Sequence, residues 1–591
     1  MCGIFGYIGG RNNAASLVFD GLKSLEYRGY DSWGVSVALK NKIYVQKKSG
    51  KIGGNNVDML PAGNIAIGHT RWATHGAATD KNSHPHVDCS KNISVIHNGI
   101  FENYQDVKLE LRNKHKFSSE TDTEIIAHLL EEIITPTGWN DGKIFEDTFR
   151  SVFNKMKGLN AVISINTKEN KIYAARNGSP LVIGIGDNEN FIASDVSALV
   201  PHTKKVYFLD DNEMAVITKD YVEIINTKSK KKITPKYEAI NWNLSQTQLG
   251  KFPNFMLKEI YEQPKIIDQI RLNSKSQAGH FSKIIESYKN VYLVGCGSAY
   301  FAALSGQYLF SKIAKKHVSA VFASEFRYHL DFIDEQSLIL FISQSGETMD
   351  VLEFAKKAKQ KKAKIACLTN VFGSSLYRMS DYKMLIGAGP ELAVASTKAL
   401  TGMISHLLIL ACGMNNIKGQ KILTNVVKST VQILKPKRVK EIQLLAKILK
   451  DEKDIFVIGR GLSYPTALEA ALKIKEISYI HAEGLATGEL KHGTIALIEK
   501  GTPCILFLPD DETYQESLNG AMELKARGAL IIGISNKANI VFDYFIKIDD
   551  SGTGTLLVNI MAAQLLAYFL TTAKRLDPDK PRNLAKSVTV K

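Results

Sequence analysis

Asn290-Val-Tyr-Leu-Val-Gly-Cys-Gly297 and Asp454-Ile-Phe-Val-Ile-Gly-Arg-Gly461 are one pattern written twice, an apolar strand running into a glycine turn. Gly295 and Gly459 stand 164 residues apart, and other pairs keep nearly that offset. Ile339-Leu-Phe-Ile342 matches Ile505-Leu-Phe-Leu508 at 166, Glu347-Thr348 matches Glu512-Thr513 at 165, and Thr369-Asn370 aligns with Ser535-Asn536 at 166. Chance similarity between sheet strands would not keep the spacing so constant, so the second half reads as two copies of one α/β unit. From 251 onward apolar strands alternate with long helices, the rhythm of a parallel sheet wrapped on both faces.

The copies differ where chemistry would sit. Copy one carries Ser343-Gln344-Ser345-Gly346-Glu347-Thr348 between a strand and a helix beginning at Met349. Hydroxyls and backbone N–H groups at a helix N-terminus, with a glycine allowing close approach, suit a phosphate. Copy two has Leu508-Pro509-Asp510-Asp511-Glu512-Thr513 there. Its aspartates would repel a phosphate and its proline removes a donor, so one phosphate site is expected, in copy one. Ordinary helix capping is the competing reading of the serines.

Residues 1–225 have another texture: short strands such as Ile43–Gln46, Ala161–Ile165, Ile172–Ala175 and Leu181–Ile185, with helices around 11–26 and 121–135. The basic run from Thr227 to Tyr237 ends it. The expected division is 2–225, a linker at 226–250, 251–435, 436–575, and a tail at 576–591. The apolar stretches 393–414 and 554–573 are broken by polar residues and read as buried helices rather than membrane spans. No basic and apolar leader opens the chain, and six scattered cysteines suit a reducing compartment, so a cytoplasmic enzyme is expected. The net charge of +16 comes from dispersed lysines without interleaved aromatics, with local clusters at Lys228–Lys232 and Lys356–Lys364, the second being read as an exposed helix face. It reads as solvated surface that favours an anionic substrate, not as a nucleic-acid site.

Cys2 would become the N-terminal residue once Met1 is removed, placing a thiol and an α-amine of ordinary pKa near ~8 on one residue. Between 68 and 103 lie Gly68-His-Thr-Arg-Trp-Ala-Thr-His-Gly76, His84-Pro-His86 and His97-Asn-Gly-Ile-Phe-Glu-Asn103. Their histidines lack the spacing of a ligand set, and no metal is expected. A thiol amidohydrolase needs an oxyanion hole, which Asn98 and Gly99 can supply, and an arginine and carboxylate for an amino-acid zwitterion, for which Arg71 and Asp122 are candidates.

These segments, with Leu25-Glu-Tyr-Arg-Gly-Tyr-Asp-Ser32 and Ser119-Glu-Thr-Asp-Thr-Glu124, closely resemble the class II glutamine amidotransferases, which are N-terminal-nucleophile (Ntn) hydrolases. The resemblance implies an αββα sandwich in which Cys2 attacks the amide of L-glutamine and Asn98 and Gly99 hold the oxyanion. It also implies that Arg71 and Asp122 grip the amino-acid end, that Thr74, His75 and Gly76 line the pocket, and that Arg28 orders the nucleophile region. Trp33 stands where many relatives carry a small residue.

The second half resembles the paired sugar-isomerase (SIS) domains of the glutamine–fructose-6-phosphate aminotransferase family. The matching segments include Asn254–Pro264, Ala323–Tyr328, Val394-Ala-Ser-Thr-Lys398, Glu469–Glu476, Gly488–Gly493 and Pro581–Val590. The expected class is therefore α/β (α+β overall), an αββα Ntn-hydrolase sandwich followed by two doubly wound αβα SIS domains with parallel sheets. Making a 2-amino aldose from a ketose phosphate needs ring opening, an imine at C2 and a proton moved between C1 and C2. Lys473 and Glu476, at i and i+3, share a helix face, and in isolation they would read as a surface ion pair. By resemblance Glu476 moves the proton, Lys473 assists, His492 opens the ring from the neighbouring subunit of a homodimer, and Lys586 forms the imine. Ser343, Gln344, Ser345 and Thr348 would hold the phosphate of D-fructose 6-phosphate, with Val394, Ala395, Ser396 and Ser298 along the sugar. Trp72 resembles a residue gating an ammonia tunnel. Ala299 replaces a frequent second hydroxyl, a loss of about 0.5–1.5 kcal/mol. The activity implied yields D-glucosamine 6-phosphate and L-glutamate without cofactor. Rival readings are a deaminase or amidotransferase acting on a different ketose phosphate, and a non-catalytic sugar-phosphate sensor.

Overall fold

The computed structural model describes residues 2–73, 75–111, 115–134, 142–240, 248–273 and 275–589. The chain forms two compact units, one of 1–248 with 585–591 and one of 249–584.

In the first unit, strand alternation builds two antiparallel sheets face to face. Successive side chains of the strand Gly3–Gly9 point to opposite faces, and both faces are buried. Ile4 and Ile8 join Ile67, Ile96, Ile163 and Ile192 in the core between the sheets. Phe5 and Tyr7 belong instead to the outer core with Val18, Phe19 and Leu22 of the helix Ala14–Leu25. The eight-stranded sheet runs 238–239, 205–208, 182–185, 189–193, 3–9, 65–71, 32–39, 42–49. The seven-stranded sheet runs 232–233, 222–226, 213–217, 172–177, 160–166, 93–99, 86–87. Helices Thr123–Ile134 and Gly142–Lys155 cover its outer face, setting Ile125, Leu129, Phe145 and Phe149 against Val95, Val162 and Tyr173. The layers are therefore αββα. Trp33 fills the outer core, edge to face with Phe19 at 5.0 Å. Residues 232–233 and 238–239, inside the stretch read as linker, edge the two sheets, and 241–247 of that stretch lie outside the described residues.

The second unit contains the duplication as two five-stranded, all-parallel sheets. The first runs Ser319–Phe322, Asn290–Gly295, Ser337–Ser343, Lys364–Thr369, Tyr382–Leu385. The second runs His481–Ala486, Asp454–Gly459, Pro503–Leu508, Leu530–Ser535, Tyr544–Lys547. Both have the order 2-1-3-4-5, so each has a topological switch point between its first and third strands, where ligands bind in open α/β sheets. Even the turns correspond: Gly297 and Gly461 have φ of +54° and +55°. The helices Lys398–Met414 and Thr555–Ala573 are apolar on all sides and buried along nearly their whole length, as helices enclosed in a core must be. Gly552–Ala573 is long and apolar enough to cross a membrane, but 83% of its apolar window is buried inside the protein. The lysine run departs from its expected helical face: the helix Met349–Gln360 ends before Lys361, and Lys364 opens the next strand.

Candidate active site

Cys2 immediately precedes the central strand Gly3–Gly9, beside the end of its neighbour Ile65–Arg71. The Trp72 backbone N–H donates to Cys2 Sγ at 3.3 Å. Burial pushes the Cys2 thiol up, opposed by positive charge at the amino terminus, the Trp72 contact and the Arg71 guanidinium. The flanking backbone is held by hydroxyls, with Gly3 N donating to Thr70 Oγ1 at 3.1 Å and Ile4 N to Ser194 Oγ at 3.0 Å. Next to Ser194, Asp195 accepts from Arg28 Nη1 at 2.7 Å and from Tyr27 at 2.9 Å, which ties Arg28 to this corner.

Asn98, at the end of the strand Ile93–Gly99, donates from Nδ2 to the Cys2 carbonyl at 3.0 Å. Its Oδ1 is 3.0 Å from His69 Nε2, which is also 3.0 Å from the His97 carbonyl. Two acceptors on Nε2 require the hydrogen there, and this fixes the Asn98 amide with its NH2 toward Cys2. Burial pushes His69 down to about 3, so it serves as a neutral donor. Gly99 has φ +128°, and a Cβ there would lie 1.9 Å from the Leu159 carbonyl oxygen, so only glycine fits.

The Arg71 guanidinium is buried and donates to the carbonyls of His75, Gly76 and Ala77, the latter two at 3.1 and 3.2 Å. The loop 75–77 is thereby folded onto Arg71. Thr74 lies outside the described residues. Asp122 is buried, accepts from Phe101 N at 2.9 Å and stands 3.9 Å from His97 Nδ1. His75 stacks edge to face on Tyr104, and half-buried Trp72 touches Cys2 through its backbone. The structure adds His69, Asp31 and Ser194 to these residues. Asp31, which accepts from Ala73 N at 2.8 Å, lies in the quoted Leu25–Ser32 segment; Ser194 carried no local signal.

In the second unit, two candidate segments flank the first sheet's switch point. Ser298 opens the helix after the strand Asn290–Gly295, and Ser343–Thr348 follows the strand Ser337–Ser343. Ser343 Oγ accepts from Gly346 N at 3.0 Å and sits 3.1 Å from Thr348 Oγ1, while Ser345 Oγ accepts from Glu347 N at 3.1 Å. In copy two the corresponding turn is filled by its own carboxylate: Asp511 accepts from both the N–H and the hydroxyl of Thr513. Val394 donates its N–H to the Asp579 carbonyl at 2.9 Å. Ser396 donates to Glu391 at 3.2 Å, and Ala395 is buried.

Lys473 is not on the surface. Its Nζ is fully buried among Glu476 Oε1 at 2.5 Å, Ser298 Oγ at 2.9 Å and Glu469 Oε1 at 3.1 Å. The two carboxylates outweigh the effect of burial and hold the lysine above its ordinary range. Burial pushes Glu469 up to about 7, against the pull of the Lys473 ammonium. Ser298 Oγ also donates to Glu469 at 3.2 Å, tying copy one to copy two. Glu469, which opens the quoted Glu469–Glu476 segment, lies one turn before Lys473 on the same helix face, but nothing in its spacing assigns it a role. His492 lies exposed on the short 3-10 helix Thr487–His492 and makes no hydrogen bond to Lys473 or Glu476 among the described residues. Lys586 is half-buried in the tail.

A glutamine amidotransferase domain model matches residues 69–201, and a SIS domain model matches 284–412 and 448–543. Fold and sites together define a glutamine-dependent amidotransferase built on paired SIS domains. The glutamine–fructose-6-phosphate aminotransferase (isomerizing) of Pyrococcus horikoshii is 42% identical over 609 residues, and that of Thermococcus kodakarensis 43% over 607, each match covering 100% of both chains. The C-terminal domain of the glucosamine-fructose-6-phosphate aminotransferase of Francisella tularensis superposes with a TM-score of 0.53 at 34% identity, covering 56% of this chain and 99% of that one. The chain belongs to the glutamine–fructose-6-phosphate aminotransferase (isomerizing) family.

Proposed function

We propose that this chain transfers the amide nitrogen of L-glutamine to D-fructose 6-phosphate, forming D-glucosamine 6-phosphate and L-glutamate as the first step of amino-sugar synthesis in the cytoplasm. The observation that supports it most is one chain carrying both a thiol beside an oriented Asn98 amide and a buried Ser298–Glu469–Lys473–Glu476 network at the switch point of the first parallel sheet.

With Met1 removed, the Cys2 thiol passes its proton to its own α-amine and attacks the glutamine amide carbon. The oxyanion is taken up by Asn98 Nδ2 and the Gly99 N–H, the amine returns the proton to the departing nitrogen, and ammonia leaves. Water then cleaves the thioester to release glutamate. Arg71 holds the α-carboxylate and Asp122 the α-ammonium, which requires Arg71 to exchange its loop carbonyls for substrate. At the second site Ser343, Gln344, Ser345 and Thr348 take the phosphate. Val394, Ala395 and Ser396 line the sugar. His492, serving the other subunit of a homodimer, opens the ring, and Lys586 condenses with the C2 carbonyl, releasing water. Ammonia, admitted past Trp72, displaces Lys586 from the imine. Glu476 takes a proton from C1 and delivers one to C2, while Lys473 steadies its charge.

The test is mass spectrometry of the product made from unlabelled fructose 6-phosphate and glutamine labelled at the amide nitrogen. Labelled glucosamine 6-phosphate is expected, and none from Cys2→Ala. Full glutamine-driven synthesis by Cys2→Ala, or by protein retaining Met1, would sink the reading.

A further inference from the structure

Four side chains of the first unit converge on a point that the glutamine chemistry leaves unused. Cys89 follows the short strand His86–Val87, and His115 follows the helix Tyr104–Leu111. His128 and Glu131 sit at i and i+3 on one face of the helix Thr123–Ile134. Their ligand atoms all lie within 4.8 Å of one another. Cys89 Sγ is 3.7 Å from His115 Nδ1 and 3.6 Å from His128 Nδ1. Glu131 Oε2 is 3.0 Å from His115 Nδ1 and 3.2 Å from His128 Nδ1.

Zinc takes sulfur at about 2.3 Å and nitrogen or oxygen at about 2.0–2.1 Å. At the tetrahedral angle those bonds make sulfur–nitrogen edges of about 3.5 Å and nitrogen–oxygen edges of about 3.3 Å. The four distances match these edges to within about 0.3 Å. Hydrogen bonds alone serve the cluster poorly, since each Nδ1 has at most one hydrogen for both a sulfur and a carboxylate oxygen. A cation at the centre would satisfy all four lone pairs together.

The outward ring nitrogens agree with this. His115 Nε2 is 3.0 Å from Glu132 Oε2, and His128 Nε2 faces Glu124 Oε1 at 3.8 Å. The Glu132 carboxylate accepts from His115 Nε2–H and leaves that Nδ1 lone pair pointing inward, the outer-shell arrangement of zinc-bound histidines, while Glu124 faces His128 Nε2 beyond hydrogen-bond distance and favours the same tautomer by its charge alone. Both rings are buried, while Cys89 is exposed and gives an ion its way in.

We propose that Cys89, His115, His128 and Glu131 form a structural zinc site in the glutaminase domain. All four positions come from protein, so the site is closed, and the Cys89 thiol gives its proton to solvent as the sulfur–zinc bond forms. The ion would clamp the loop at Cys89 to the helix 123–134 and to the segment that runs from His115 to Asp122.

The test uses untagged full-length protein stripped by chelator and titrated with Co²⁺ as a spectroscopic probe. One Co²⁺ per chain is expected, with tetrahedral ligand-field bands and a thiolate-to-cobalt charge-transfer band, all erased by added Zn²⁺. Cys89→Ser should lose the charge-transfer band and bind at least about tenfold more weakly. Glu132→Gln should keep the band but weaken binding about tenfold. Cys2→Ala should keep band and affinity, which separates this thiol from the one assigned to glutamine chemistry. His115→Gln provides a second ligand variant, and circular dichroism checks that each is folded. Absence of stoichiometric Co²⁺ binding, or a charge-transfer band that survives Cys89→Ser in folded protein, overturns the proposal.

Discussion

Replacing Lys473 by methionine removes the cation paired with Glu469, which is 2% exposed, and among the described residues leaves Glu469 Oε1 with Ser298 alone. Its Oε2 already has no partner among the described residues. Breaking a buried ion pair by deleting one member costs about 3–5 kcal/mol, because the other charge stays buried. Spread over a unit of about 340 residues at ~2.1 cal/mol/K per residue, that corresponds to a fall of about 4–7 °C in its unfolding temperature. The sign with pH follows from Glu469, whose folded pKa of about 7 exceeds its ordinary 4.5. The folded state holds the proton more tightly, so stability declines as pH rises through that window. Removing the ammonium raises the folded pKa further and extends the decline. The deficit against wild type is thus least near pH 6 and grows by up to about 1.4 kcal/mol per pH unit above about 7. Urea and thermal unfolding at pH 6, 7.5 and 9 measure it. The double variant with Glu469→Gln should recover most of the loss and flatten its pH dependence. A cost below about 1 kcal/mol at pH 8, or an equal cost at pH 6 and 9, would refute the reasoning.

Gly99→Ala drives a Cβ to 1.9 Å from a backbone carbonyl and should cut glutamate release from glutamine about 100-fold or more; near-normal hydrolysis would remove Gly99 from the oxyanion hole. Gly346 has φ +67°, and a Cβ there would meet Ser374 Oγ at 2.1 Å, so Gly346→Ala should raise KM for fructose 6-phosphate at least about tenfold with glutamine hydrolysis unchanged, by coupled assays of both half-reactions. Trp33→Ala empties the buried space beside Phe19 and should cost about 3–5 kcal/mol in glutaminase-domain unfolding; a loss under 1 kcal/mol would mean the cavity collapses freely.

The amino-acid order by itself determined what is local or periodic. Strand alternation, the paired glycine turns near Gly295 and Gly459, the carboxylates of the copy-two turn and the shared helix face of Lys473 and Glu476 all depend on neighbours a few residues away. The near-constant offset of about 165 residues then announced two equal sheets, and the observed strand orders agree. Tertiary structure alone decided which distant groups meet. Ser298 reaches Glu469 across 171 residues, Asn98 takes its orientation from His69 across 29, and Cys89 faces His128 across 39. It also decided that the Lys473 pair is buried rather than a surface ion pair, and that Arg71 is engaged by its own loop. The physical reason is that spacing encodes the few-residue periods of helix and strand, whereas these encounters are set by how covered sheets and helices pack, information spread over the whole core.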